Sequence, residues 1–304
     1  MLILEGRPSI AIASIGWKND DDPRLGANYS IETVLDEMQE ADYAGAELGG
    51  SAPTDLNILL PLLKSRNLQL VNAWHSTNLT DFSERGLDAA TNTLNEVEKF
   101  KEKVVYLYDA GSKRIGPSEQ GGSIQGKNVP IFGDLRPVHS DYQWDVMADG
   151  LDQMAEVAEG HGLTLVYHHH LGTGIQTRKE VDRLMRGTKK VKLLYDTGHL
   201  VAAGEDHLGV LDDHIDRIAH VHLKDVREEV LAYAIANNLS FMDAVRAGMF
   251  TVPGDGMIDF IPVFERLKKY SDWIVIEAEQ DPAKANPLIY ARKGREYIRE
   301  HAGV

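Results

Sequence analysis

Two short stretches end in residues that bind metals or move protons: Leu193-Leu194-Tyr195-Asp196-Thr197-Gly198-His199 and His220-Val221-His222-Leu223-Lys224-Asp225. Each begins as an apolar run of strand length, so the reactive groups fall at the carboxyl end of a buried strand. That end is where a parallel α/β barrel assembles its active site. Asp196 on its own reads equally well as a helix N-cap, whose carboxylate satisfies the free N–H groups of a first turn. It does not stand alone. Of twelve histidines, His75, His168, His169, His170, His199, His220 and His222 all fall at or just past such apolar runs.

Residues two apart on a strand face the same side. His168 and His170 therefore point together, as do His220 and His222, while His169 faces away. Asp196 follows His168 by 28 residues and His222 follows Asp196 by 26, each about one β/α unit. Glu277 comes 55 residues after His222 because an extra segment intervenes. His168, Asp196, His222 and Glu277 thus stand on four successive strands as candidate metal ligands. The chain has no cysteine, so a metal must be held by His, Asp and Glu, a donor set that suits Mn, Co, Fe or Zn.

The elements that must position these groups alternate along the chain. Strands are predicted at 9–14, 46–48, 68–73, 104–108, 163–167, 191–195, 219–223 and 273–276. Between them lie amphipathic helices, among them one capped by Ser30 and closed by Gly45, one at 81–103 and one at 142–159. Residues 110–140 are rich in Gly, Pro and Ser without either period, which reads as a lid or binding loop, with an inert surface excursion as the plainer role. Residues 228–250 read as a helical insertion. Eight strands with eight crossovers make one (β/α)8 TIM barrel spanning 1–304 as a single domain.

Composition narrows the partners. A net charge of −15 opposes binding to nucleic acid or anionic membranes. No apolar stretch approaches 18 residues, and residues 1–7 lack a basic segment followed by an apolar run, so the expectation is a soluble cytoplasmic protein. A small neutral or metal-chelating substrate fits, and a homo-oligomer is compatible.

The sequence resembles, over essentially its whole length, the xylose-isomerase-like family of metal-dependent sugar isomerases and epimerases. The resemblance is carried by Ile15-Gly16-Trp17 with Asn19-Asp20-Asp21, by Tyr167-His168-His169-His170-Leu171-Gly172-Thr173-Gly174, and by the two stretches quoted first, the second extended through Val226-Arg227. It continues in Pro253-Gly254-Asp255-Gly256 and in Trp273-Ile274-Val275-Ile276-Glu277-Ala278-Glu279-Gln280-Asp281-Pro282. The triple histidine and the run from Glu277 to Pro282 point to the branch that dehydrates inososes, cyclic polyol ketones, in inositol catabolism.

The resemblance implies a hydro-lyase that converts 2-keto-myo-inositol to a trihydroxycyclohexane-dione. The steps would be α-proton abstraction, a metal-stabilised enediolate and loss of the β-hydroxyl. It also implies one divalent ion, Mn or Co above Zn or Fe, held by Glu, Asp, His and Glu from the last four strands. Three positions carry over to Asp196, His222 and Glu277. The fourth departs, because His168 stands where relatives have a glutamate; His168, water, His170 or another carboxylate then completes the shell. An imidazole in place of a carboxylate leaves the ion more electrophilic. Glutathione is an added component in the family, and without cysteine this chain could not exchange disulfides with it.

The base and acid that must flank the ring are sought among His170, His199, Lys224 and Glu47, all at strand ends; Lys224 has pairing with Asp225 as a plainer role. Trp17, Asn19, Trp74, His75, His169 and Arg227 are candidates to orient the polyol, with core packing the plainer role for each Trp. A ketose epimerase or isomerase would share the ion and the enediolate but return the proton. An abasic-site endonuclease would need several ions and a basic groove, against the net charge. A barrel that only binds sugar would leave the proton-transfer groups without a task.

Overall fold

The computed structural model describes residues 3–304; Met1 and Leu2, the first two of the residues 1–7 considered above, lie outside the described residues. Its strands are β1 (Ile10–Ala13), β2 (Gly45–Glu47), β3 (Gln69–Asn72), β4 (Trp74–Thr77), β5 (Arg114–Glu119), β6 (Thr164–His168), β7 (Lys192–Asp196), β8 (Ile218–Leu223), β9 (Asp225–Val226), β10 (Phe250–Thr251) and β11 (Ile274–Ile276). The helices are α1 (Ile31–Glu40), α2 (Leu56–Ser65), α3 (Ala89–Asp109), α4 (Asp141–Gly160), α5 (Arg178–Gly187), α6 (Thr197–Ala202), α7 (His207–His214), α8 (Glu228–Ala236), α9 (Phe241–Ala247), α10 (Ile261–Arg266) and α11 (Pro287–Ala302).

The large sheet runs β3-β2-β1-β11-β8-β7-β6-β5-β4. Its pairings are parallel. β3 and β4 are consecutive pieces of one stretch joined through Ala73, so the sheet returns on itself as the eight-staved barrel read from the sequence. Strands buried on both faces, such as the Ile-Ala-Ile-Ala of β1, need helices over them, and the crossovers supply that cover. No helix among the described residues is long and apolar enough to cross a membrane.

Helix starts follow the chemistry of their caps. The Ser30 side chain accepts the Thr33 N–H at the start of α1, and Ser140 with Gln143 and Thr177 with Glu180 form capping boxes on α4 and α5. Gly45 does not close α1; it opens β2, where a Cβ would lie 2.5 Å from the Val71 side chain.

One stave differs from its sequence reading. Residues 104–108, expected as the fourth strand, form the last turns of α3: Val104 and Leu107 are buried while Val105 and Tyr108 are exposed, a helical spacing rather than alternation. The fourth stave is β5, whose Gly116-Pro117 pair disguised it as loop. The long excursion is therefore 120–139 rather than 110–140. The insertion after β8 is α8 and α9, closed by the antiparallel pair β9 and β10.

The register sets the active end. Asp196 on β7 lies beside His222 on β8, which lies beside Val275 on β11, two residues before Glu277. Leu194, the other inward position near the end of β7, lies beside His168 on β6.

Candidate active site and metal centre

His168, Asp196, His222 and Glu277 converge at the carboxyl end of the barrel. His168 Nε2 is 3.4 Å and His222 Nδ1 is 3.6 Å from Asp196 Oδ2, and His222 Nδ1 is 3.1 Å from Glu277 Oε2. Asp196 Oδ2 and His168 Nε2 are buried without a hydrogen-bond partner. Buried orphans of this kind are rare because they forfeit hydration, so two facing one another fit the donor set of a cation. Asp196 keeps its capping role as well: Oδ1 accepts the His199 N–H at the start of α6, leaving Oδ2 for the cluster. Its own N–H donates to His169 Nε2 at 3.3 Å, so the outward-facing histidine positions the ligand from behind.

The tautomers follow from the partners. His222 Nε2 donates to Glu47 Oε2 at 3.1 Å and Nδ1 meets Glu277 Oε2 at 3.1 Å; burial works against its charge, but Glu47 and Glu277 raise this imidazole above its ordinary value, and a bound cation would take the place of the proton on Nδ1. Glu47 Oε2 also accepts from His220 Nε2 at 3.0 Å and Oε1 accepts from Asn72 Nδ2. Burial alone would raise the Glu47 carboxyl, but the His222 and His220 imidazoles hold it well below the ordinary carboxylate value. Glu47 is thus an ionised carboxylate that orients His222, not a group ready to take a proton.

Lys224 is fully buried among the carboxylates, with Nζ 2.7 Å from Glu277 Oε2, 3.5 Å from Glu279 Oε2 and 3.6 Å from Asp196 Oδ2. Burial works against its charge, but Asp196, Glu277 and Glu279 raise the ammonium above the usual lysine value. Its Nζ also donates to His199 Nε2 at 2.9 Å. The ligand atoms of His199 lie within 4.8 Å of those of His168, Asp196 and Glu277, yet the lone pair of Nε2 is taken by this ammonium, which leaves His222 the better ligand. Gly198 gives the lysine stem its path: a Cβ there would lie 2.5 Å from Lys224 Cγ. Asp225 does not pair with Lys224; it accepts the N–H groups of Val226, Gly254, Gly256 and Ile258 and so shapes the 254–258 turn.

Above the cluster lies a cavity of about 390 Å³, lined by His168, His170, Glu277, Glu279, Glu47, Trp74, Ser76, Asn78, Asp20, Asp21, Gln120 and Gln125, among others. His170 Nδ1 lies 2.9 Å from the Leu171 carbonyl and must donate to it, so in the neutral ring it is Nε2 that carries the lone pair. That nitrogen is 3.6 Å from Glu279 Oε1. Trp74 stands edge-on to His168 and His170, with ring centroids 5.3 and 5.7 Å away. The inserted segment supplies an apolar wall behind them: Phe241 packs on His170, and Lys224 Nζ lies over the Phe250 ring. The 120–139 excursion crosses the cavity mouth, where Gln125 Nε2 donates to Asp21 Oδ2 at 2.8 Å.

Several residues expected to hold substrate are elsewhere. Trp17 is a core residue whose Nε1 donates to Glu37, and Asn19 Oδ1 accepts the N–H groups of Asp21 and Asp22, shaping the loop that carries Asp21. Arg227 is a brace, donating to the carbonyls of Gly248 and Phe250 and to Thr251, Asp255 and Tyr290. His75 faces a neighbouring cavity, and His169 lies behind Asp196. Of that group Trp74 alone lines the active cavity. Glu279, Asp21 and Gln125 were missed; the alternation that paired His168 with His170 also pairs Glu277 with Glu279, and would have found the first.

The chain matches the family described as xylose isomerase-like TIM barrel over residues 31–301. Curated relatives named inosose dehydratase include one from Geobacillus thermodenitrificans (strain NG80-2), 50% identical and aligned over 99% of both chains. Another, from Yersinia enterocolitica serotype O:8 / biotype 1B, is 46% identical over 98% of this chain and 99% of its own. Among solved structures, a probable 3-DHS dehydratase from Bacillus anthracis aligns with a TM-score of 0.71 at 13% identity, covering 95% of this chain and 98% of that one. An L-ribulose 3-epimerase aligns with a TM-score of 0.70 at 17% identity, covering 97% and 95%. At these identities the structures bear on fold alone, whereas the curated relatives reach further: the chain belongs to the xylose isomerase-like TIM barrel family and, within it, to the inosose dehydratases.

Proposed function

We propose that this chain is a hydro-lyase that removes water from 2-keto-myo-inositol, with one divalent cation, Mn or Co, held by His168, Asp196, His222 and Glu277. The names of relatives near 50% identity support the substrate. The observation that carries the chemistry is a bare imidazole nitrogen, His170 Nε2, in the same cavity as the buried donor cluster. When bound, the ion would polarise the ketone oxygen and stabilise the negative charge that develops there.

The remaining work falls to side chains of the chain itself. His170 Nε2 accepts the proton from the carbon beside the ketone, and the electron pair left behind forms the new double bond as the hydroxyl one carbon further departs. The imidazolium, stabilised by Glu279 3.6 Å away, returns that proton to the departing hydroxyl, which leaves as water. Trp74 offers a flat face beside the reacting carbons, while Asp20, Asp21, Asn78 and Gln125 present hydrogen-bonding groups to ring hydroxyls. The Gln125 bond to Asp21 ties the 120–139 excursion across the opening and limits water.

Incubation with 2-keto-myo-inositol and Mn, followed by mass spectrometry, tests the reading. A product lighter by one water is expected; an isomer of unchanged mass would replace it with an epimerase.

A further inference from the structure

A second cavity, of about 330 Å³, lies beside the active one, and Leu48 and Gly49 line both. Alternation along β4 serves the two spaces in turn: Trp74 lines the first and His75 the second. The floor of the second cavity is apolar, made by Leu48, Leu70 and Ala73, while α3 contributes Lys99 and Lys103, one turn apart, and Tyr106.

Three observations mark it as a place for an anion. His75 is only 7% exposed, and its Nε2 has no hydrogen-bond partner. Lys103 is half-buried, and withdrawal from water lowers its pKa; Asp20 offsets that cost only in part, and Lys103 forms no ion pair among the described residues. The ion pair on this part of α3 belongs instead to Lys101 and Glu98. Glu102 is the one carboxylate in the lining, against two lysines, so the cavity is locally basic in a chain of net charge −15. A bare inorganic ion would leave the apolar floor uncovered, and a neutral molecule would leave the lysines unpaired.

We propose that this second cavity binds a small organic anion whose phosphate or carboxylate meets Lys99 and Lys103, accepts a hydrogen bond from His75, and rests its carbon skeleton on Leu48, Leu70 and Ala73. The volume suits a ligand of about the size of a six-carbon sugar derivative.

Glucose 6-phosphate and gluconate share six carbons and differ in the anion, so they separate the two sources of charge. Each is titrated calorimetrically into the full chain loaded with Mn, and into a Lys99→Met/Lys103→Met variant. Saturable binding by at least one ligand is expected, weakened roughly tenfold or more in the double variant while dehydration is unchanged. Tighter binding of glucose 6-phosphate assigns phosphate, and tighter binding of gluconate assigns carboxylate. In the same titration the His75 imidazole resonance, identified by its loss in His75→Gln, should move to saturation. Equal affinity in the double variant would place the anion on the active-site ion and overturn the proposal, as would a stationary His75 resonance or no binding at about 10 mM.

Discussion

Lys224 Nζ lies 2.7 Å from Glu277 Oε2, at the meeting point of three carboxylates that would otherwise repel one another in a water-poor cluster. Breaking a buried ion pair by removing one partner costs about 3–5 kcal/mol, because the charge left behind has neither water nor counter-ion. Lys224→Met should therefore lose stability on that order in the absence of divalent ion, measured by urea unfolding. Saturating Mn should restore much of the loss by neutralising the same carboxylates. An equal loss with and without Mn would mean that the lysine does not share their field with the ion.

Asp196→Asn, His222→Ala and Glu277→Gln should each release bound metal and abolish dehydration while far-UV circular dichroism stays that of the barrel. The three side chains stand at the ends of β7, β8 and β11 rather than in the layers that fill the barrel. Full metal content in all three variants, by elemental analysis, would reject the ligand set. Glu47→Gln should retain part of the metal and bind it roughly 10- to 100-fold more weakly, the usual effect of removing a group that only orients a ligand histidine.

The barrel and its four convergent residues were legible because both rest on short-range rules. Period-two alternation sets which histidine faces inward, and the length of a β/α unit sets how far apart ligands on neighbouring strands must fall. Apart from Glu279, what escaped depends on contacts no spacing records. Residues 104–108 are as apolar as a strand, but the helix continues through them, and the true stave contains a Gly-Pro pair. Trp17, Asn19 and Arg227 lie in motifs that mark the family, yet serve the core and the loops around the cavity rather than its contents. Arg227 alone satisfies two carbonyls and three side chains. Gln125 reaches Asp21 across 104 residues of chain, a contact that only the folded loop reveals.

Acid should destabilise the fold partly through His75. Burial lowers its pKa from the ordinary 6.5 to about 4, helped by the Lys99 charge. The unfolded chain then takes up the proton first as pH falls, so stability is lost progressively between those two values and retained above them. The loss from this group is on the order of 3 kcal/mol by about pH 4. His75→Gln should shrink the difference in unfolding free energy between about pH 7 and about pH 4 by a comparable amount. An unchanged difference in urea titrations would show that the acid sensitivity arises elsewhere.

His170 decides between dehydration and simple proton return. Its Nδ1 is held by the Leu171 carbonyl and its Nε2 faces Glu279, so the ring cannot turn its lone pair away from the cavity without breaking a buried hydrogen bond. His170→Ala removes that nitrogen but none of the four proposed ligands, so metal content should persist. Dehydration should fall by a factor on the order of 10² to 10⁴, the usual worth of a positioned acid or base. Solvent deuterium then assigns the role. If the variant neither dehydrates nor exchanges the proton beside the ketone, His170 is the base, as its bare Nε2 implies. If it exchanges that proton but does not expel water, His170 acts only on the departing hydroxyl and another group removes the proton. Dehydration at a near-normal rate would deny it both parts and return the search to Glu279 and Lys224.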